Sequence, residues 1–304
     1  MGNPEFAVPS LKNIVESEYA LLAVVSNPSK LIGRNKTEKI TKVGEFAKSQ
    51  SIPLFKPQTL DDPEFLKGMK TLNPDYFLVV AFKILPASLL NIPQKGSINL
   101  HASLLPHYRG AAPIQRAIMN GERETGLTTF IIRRLVDTGS ILMQMTVPIN
   151  DSDTFGTLSE KMSKKGADLL LKTLNRLRDN SLFPQEQDHS NATSAPKIKE
   201  SDSCIDWGQP AEIIHNQIRG LAPKPGAFTY FNGMRLKILR SSVNQSNEKQ
   251  NPGSVVFCDK KLLIIQTGDG HIELLTIQRE GKKTMETPDF LNGVDINIGD
   301  TFGD

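Results

Sequence analysis

Ser97-Ile98-Asn99-Leu100-His101-Ala102-Ser103-Leu104-Leu105-Pro106 reads as a buried strand that leaves into a Pro-terminated loop. Alternate side chains along a strand share a face, so Asn99 and His101 point the same way at its C-terminal end. Open α/β sheets bind their ligands at that end of the strands. An amide donor beside an imidazole suits a reaction that builds negative charge on a carbonyl oxygen, with Asn99 donating to the oxyanion and His101 holding or moving a proton. Spacing alone leaves open a plainer reading, two satisfied polar side chains at a strand end.

Around this run, apolar β-rich stretches at 20–26, 76–82, 96–101, 127–133 and 141–149 alternate with helical patterns at 38–50, 61–71 and 112–120. That alternation is the sequence form of a parallel sheet with crossover helices. An amphipathic run at 157–179 places Leu158, Met162, Ala167, Leu170, Leu171 and Leu174 at helical spacing and is expected to cover one sheet face. Residues 1–180 therefore read as an α/β domain with an open, doubly wound, mostly parallel sheet. Residues 181–204 are polar and aperiodic and read as a linker. In residues 205–304 one helix (210–220) precedes short strands at 227–231, 236–239, 254–257, 262–266 and 272–277, the pattern of a small, OB-like β-barrel.

A chain of 304 residues suits about two domains at roughly 150 residues each. Lys plus Arg at 36 against Asp plus Glu at 33 gives +3, which excludes a surface wrapped in nucleic acid throughout and leaves room for a local basic patch. Cys204 and Cys258 lack CxxC or ligand spacing, so neither a disulfide framework nor a metal site is expected. No apolar run approaches the ~20 residues of a bilayer span and the N-terminus lacks a signal pattern, so the expectation is a cytoplasmic monomer without a membrane partner.

Asp137, in Val136-Asp137-Thr138-Gly139, would serve His101 by fixing its tautomer, raising its basicity or taking a proton through water. The same Asp-Thr-Gly run also reads simply as a turn. Lys30, Gly33, Arg34, Lys36 and Lys39 form a basic, flexible stretch that by charge alone is a solvated loop. Lys224, Arg235, Lys237, Arg240, Lys260, Lys261, Lys282 and Lys283 make a phosphate track if several share a face. His107, His189, His215 and His271 have no setting comparable to His101, and Trp207 reads as a packing anchor.

Asn99 to Pro106, with Tyr108-Arg109-Gly110-Ala111-Ala112-Pro113-Ile114-Gln115 and Asp137-Thr138-Gly139, resembles the signature of the folate-dependent formyltransferases. Met1-Gly2-Asn3-Pro4-Glu5-Phe6-Ala7-Val8-Pro9-Ser10-Leu11, Arg219-Gly220-Leu221-Ala222-Pro223, Pro225-Gly226-Ala227 and Gln278-Arg279-Glu280-Gly281-Lys282-Lys283-Thr284-Met285 extend the likeness over nearly the whole chain, toward the branch that acts on methionyl-tRNA. The resemblance implies that Asn99, His101 and Asp137 are a catalytic trio and that formyl passes from 10-formyltetrahydrofolate to the α-amine of initiator methionyl-tRNA. It further implies a folate pocket lined, mostly through backbone groups, by Ser103, Leu104, Leu105 and Pro106 and by Phe82 and Ile84. Gly33 and Arg34 match a pair that wedges against the tRNA acceptor end, with Lys30 and Lys36 adding phosphate attraction.

The loop at 80–86 departs from the family pattern, being one residue shorter and carrying Lys83 where a glycine is usual. The family also places an apolar first strand ahead of the Met-Gly-x-Pro-Glu-Phe motif, so an apolar β-rich segment is expected upstream of Met1. Competing readings are a formyltransferase for a small-molecule amine such as an amino sugar nucleotide, a formyltetrahydrofolate hydrolase, and a catalytically silent RNA-binding protein. Gly33-Arg34 and the 278–285 motif separate the first two from an enzyme acting on tRNA.

Overall fold

The computed structural model describes residues 1–32, 37–244 and 250–303. In chain order it forms α1 (Val8–Val15), β1 (Val24–Val25), β2 (Lys30–Ile32), β3 (Thr37–Lys39), α2 (Lys42–Ser49), β4 (Leu54–Phe55), α3 (Pro63–Leu72), β5 (Phe77–Val80), α4 (Ala87–Leu90), β6 (Ser97–His101), β7 (Arg109–Gly110), α5 (Pro113–Met119), β8 (Glu124–Ile131), β9 (Ile141–Pro148), α6 (Phe155–Arg178) and β10 (Ser194–Ala195). There follow α7 (Ala211–Leu221), β11 (Ala227–Phe231), β12 (Met234–Asn244), β13 (Val255–Cys258), β14 (Leu263–Gln266), β15 (His271–Arg279), β16 (Thr284–Glu286) and α8 (Thr287–Leu291). Two units emerge. The first comprises Met1–Ala111, Thr125–Pro148 and Ser159–Ala195, the second Ala112–Glu124, Ile149–Leu158 and Pro196–Asp304.

Side-chain caps decide where helices of the first unit begin. Thr41 accepts the Gly44 N–H at 3.0 Å and Asp62 accepts the Phe65 N–H at 2.7 Å, each satisfying a first-turn donor that has no partner within the helix. The helix expected from residue 38 thus starts at Lys42, because Thr37–Lys39 pairs with Lys30–Ile32 as an antiparallel hairpin. The main ladder runs β5-β6-β8-β9, with β5 parallel and β8 antiparallel to β6, so an antiparallel step enters a sheet read as mostly parallel. β1 pairs in parallel with β4. A parallel bridge joins Gly2 to Val80, and the Gly2 N–H donates to the Val25 carbonyl at 3.1 Å. α6 covers the sheet as its periodicity predicts, and Gly166 permits the approach, since a Cβ there would lie 2.7 Å from Leu100 Cδ2.

Residues 181–195 belong to the first unit and 196–204 to the second, so the division falls inside the stretch read as a linker. β10 pairs with β7 in parallel, Ser194 opposite Arg109 and Ala195 opposite Gly110. The second unit also takes in α5 and residues 149–158, which a contiguous boundary at 180 does not foresee. Buried Arg219 on α7 holds that segment, its Nη1 donating to the carbonyls of Asn150 (3.4 Å) and Asp153 (3.3 Å).

The strands of the second unit order as β11-β12-β15-β14-β13, antiparallel throughout, with β16 on β15. Residues from all five send side chains into one cluster, among them Phe231, Ile238, Val255, Ile265 and Ile272. Bulges in the β12–β15 and β13–β14 pairings bend the sheet around this core. Among the described residues no ladder joins β13 back to β11, so hydrogen bonding does not close the barrel that strand count suggested. Trp207 anchors the core as expected, its Nε1 donating to Thr229 Oγ1 at 3.0 Å and its ring edge meeting Phe302.

Candidate active site

β6 ends at His101, whose ring is buried and meets Phe130 edge-on at 6.5 Å. Its Nε2 lies 2.9 Å from the Tyr108 carbonyl oxygen. A carbonyl only accepts, so Nε2 carries the hydrogen, and Nδ1 is the nitrogen left to take or release a proton. Nδ1 stands 3.7 Å from Asp137 Oδ2, beyond a direct hydrogen bond but within reach of a strong through-space attraction once the ring is charged. Of the roles open to Asp137 in the sequence, fixing the tautomer therefore falls to the Tyr108 carbonyl instead.

Asp137 is held on three sides. Its Oδ2 accepts the Gly110 N–H at 2.8 Å, and its backbone sits at φ +54°, a left-handed conformation that Asp tolerates better than most residues. At Gly139 a Cβ would lie 1.6 Å from the Ile131 carbonyl oxygen, so only glycine lets this loop return against β8. Gln187 locks the turn from outside. Its Nε2 donates to the carbonyls of Asp137 (2.9 Å) and Gly139 (2.7 Å), while its Oε1 accepts from Arg109 Nε (3.2 Å) and Nη2 (2.5 Å).

Gln187 is the supporting residue that sequence reasoning missed, since nothing in its polar run distinguishes it from its neighbours. Its place depends on the β7–β10 pairing, which no local pattern announces. Beside it, Glu186 accepts from Ser140 Oγ and Arg133, and these bonds hold its carboxyl below the usual range.

Asn99 lies two residues before His101 on β6, opposite Phe130, with His101 opposite Thr128. It is half-buried, and its amide makes no hydrogen bond to another described residue, so a donor remains for a ligand. The 103–106 turn is braced internally. Ser103 is fully buried and donates from Oγ to the His107 carbonyl; Thr128 Oγ1 donates to the Ser103 carbonyl (2.7 Å) and accepts the Leu105 N–H (3.1 Å). Gln144 Nε2 donates to the Leu105 carbonyl at 2.9 Å.

The backbone groups expected to meet folate at Ser103 and Leu105 thus already hold the turn. Leu104 and Pro106 are half-buried, Phe82 packs against the Phe77–Leu85 core, and Ile84 is 73% exposed. Gly33, Arg34 and Lys36 lie outside the described residues, and Lys30 opens β2, paired with Lys39. Three of the other four histidines have ring partners of their own: His189 meets Arg109, His215 meets Ser241 and His271 meets Gln266, while His107 is exposed. Among the described residues no group of three or more His, Cys, Asp or Glu side chains gathers to hold a metal ion, and no helix is long and apolar enough to cross a membrane.

Residues 2–174 match the family described as formyl transferase, and residues 197–295 match the formyl transferase C-terminal domain. The methionyl-tRNA formyltransferase of Caldanaerobacter subterraneus subsp. tengcongensis is 42% identical over 301 residues, 98% of this chain and 97% of that protein. The methionyl-tRNA formyltransferase of Thermodesulfovibrio yellowstonii is 44% identical over 299 residues, 98% and 96% of the two chains. Among solved structures, an N-formyltransferase from Helicobacter canadensis in complex with folinic acid and dTDP-3-aminofucose aligns with a TM-score of 0.68 at 23% identity, covering 91% of this chain and 97% of that one. A sugar 3N-formyl transferase solved with dTDP and 5-N-formyl-THF aligns with a TM-score of 0.67 at 24% identity, covering 93% and 97%; at these identities both speak for the fold alone. With both halves matched and relatives above 40% identity along almost its full length, the chain belongs to the formyl transferase family.

Proposed function

We propose that this enzyme transfers a formyl group from 10-formyltetrahydrofolate to the α-amine of initiator methionyl-tRNA, for translation initiation. The observation that carries the mechanism is the Asn99 amide, without a partner among the described residues, two residues from His101 on β6, with Nδ1 of His101 facing Asp137. The amine must be neutral to attack, and its neighbouring ester favours that form. As its nitrogen bonds to the formyl carbon, the carbonyl oxygen becomes an oxyanion, to which Asn99 donates. The amine proton leaves by way of His101 Nδ1, whose imidazolium Asp137 stabilises through space, and the folate nitrogen takes a proton as its bond to the formyl carbon breaks. Formyl is gained by one nitrogen and lost by the other, so the protons balance.

Leu104, Pro106, Phe82 and Ile84 line the folate side, and Arg34 with Gly33, Lys30 and Lys36 meets the tRNA. Curated relatives at 42% and 44% identity that carry the tRNA-acting name support this acceptor over a sugar nucleotide. The test is incubation with labelled 10-formyltetrahydrofolate and charged initiator tRNA beside charged elongator tRNA. Label entering the initiator aminoacyl fraction is the expected result; label appearing only as formate, or only on an amino sugar nucleotide, overturns the reading.

A further inference from the structure

Tyr108 stands in the left-handed region at φ +58°, a conformation that is costly for a bulky L residue and persists only where the surroundings over-determine it. Thr193, 85 residues further along the chain, supplies that restraint. Its Oγ1 accepts the Tyr108 N–H at 2.8 Å, its carbonyl accepts the Arg109 N–H at 2.9 Å, and its own N–H donates to the Pro106 carbonyl at 3.3 Å. One residue thereby pins both peptide planes that flank Tyr108.

The second of these planes reaches the imidazole. In a trans peptide the N–H and the C=O point to opposite sides, so the group joining Tyr108 to Arg109 bonds Thr193 through its N–H and meets His101 Nε2 through its oxygen, at 2.9 Å. A neutral imidazole carries one hydrogen, and two partners compete for where it sits. The Tyr108 carbonyl keeps it on Nε2, while the Asp137 carboxylate, 3.7 Å from Nδ1, draws it to the other nitrogen. Distance decides for the carbonyl, since 2.9 Å is a full hydrogen bond and 3.7 Å is not one. The advantage lasts only while the Tyr108 oxygen stays where Thr193 puts it.

We propose that Thr193 is a positioning residue for formyl transfer: its hydroxyl holds Tyr108 left-handed, so that the Tyr108 carbonyl keeps the hydrogen of His101 on Nε2 and leaves Nδ1 to take the amine proton. Without the hydroxyl, Tyr108 relaxes toward negative φ and its carbonyl turns from the ring. The hydrogen then moves to Nδ1, the nitrogen that has to accept. Thr193 is exposed and its backbone bonds do not depend on its side chain, so the hydroxyl acts on the ring through Tyr108 and not through packing. The kinetic consequence rests on the reaction proposed above, whereas the tautomer is a property of the protein alone.

Nitrogen NMR of the full chain labelled in its histidines, without substrates and at about pH 8.5, where an ordinary imidazole is neutral, reads the tautomer directly. The wild-type His101 signals should show a protonated Nε2 and a bare Nδ1. Thr193→Val keeps both backbone bonds and fills the hydroxyl's space against water. It should bring the two signals together or exchange them, and lower kcat by ~10- to 10²-fold with KM and melting temperature little changed. Thr193→Ala removes the same acceptor without added bulk and should shift the tautomer the same way, while Thr193→Ser restores the acceptor and should return both signals and rate. A His101 tautomer unchanged in Thr193→Val and Thr193→Ala overturns the proposal, whether or not kcat falls. A shifted tautomer with full kcat overturns the positioning role and the proton path through Nδ1, an outcome distinct from failure of formyl transfer itself, which the labelled-tRNA assay reads.

Discussion

Nδ1 of His101 and Oδ2 of Asp137 stand 3.7 Å apart, and that same Oδ2 accepts the Gly110 N–H. One oxygen therefore serves both the imidazole and the backbone that frames it. Asp137→Asn preserves the left-handed backbone, which Asn tolerates equally, and keeps an oxygen for Gly110, but removes the charge. The melting temperature should hold while kcat falls ~10²- to 10⁴-fold. Single-turnover formylation measures it, and a rate within a few-fold of wild type would remove the carboxylate from the chemistry.

Asn99→Ala deletes an amide that has no partner among the described residues, so folding should change little. Losing one oxyanion donor costs about 2.7–4 kcal/mol in the transition state, ~10²- to 10³-fold in kcat. Tight binding of the formyl donor should persist, which fluorescence titration with a folate analogue would check.

Gln187→Leu keeps side-chain bulk but leaves the Asp137 and Gly139 carbonyls and the Arg109 guanidinium without their shared partner. Stability should drop by about 1–3 kcal/mol. A loosened Asp137 should also lower kcat toward ~10²-fold, the scale of an ångström-sized misplacement, with KM for tRNA nearly unchanged. A parallel rise in KM without loss of kcat would contradict a positioning role.

Arg34→Ala should raise KM for charged tRNA and leave binding of the formyl donor alone. Wild-type affinity for tRNA should fall steeply with added salt, and the variant's log–log slope should be shallower by about one phosphate contact. Equal slopes would place Arg34 away from the RNA.

Burial, reinforced by neighbouring Arg219, pushes the His215 imidazole below its ordinary 6.5. In the unfolded chain it protonates as pH falls through 6.5, while in the fold it keeps its neutral form to a lower pH, so between the two the unfolded state binds more protons and stability declines toward acid. His215→Gln, which can still bond Ser241, should flatten that decline. Urea midpoints at about pH 7.5 and about pH 5.5 give the comparison.

Most elements were legible because their cues are local. Asn99 and His101 share a strand and their spacing survives folding, and the strands 96–101 and 141–149 differ from the observed ones only at their ends. Helix starts moved by residues because Thr41 and Asp62 satisfy the first-turn amides and so fix where each helix begins. What stayed hidden is non-local. The β7–β10 pairing joins residues 109–110 to 194–195 through a polar run without periodicity, and it brings Gln187 to Asp137. Likewise the reversal of β8 against β6 leaves no mark in composition, since a strand buried on both faces looks the same in either direction.

The late position of β10 also bears on synthesis. His101 leaves the ribosome well before the residues that complete its surroundings, because Asp137 is clamped by Gln187 and Gly110 by a strand that ends at Ala195. Contacts of such long sequence separation form slowly and last. A nascent chain halted between Arg178 and Gln187 would hold its sheet and α6 yet carry an unclamped Asp137 loop, so a growing polypeptide gains its chemistry only when this strap has docked.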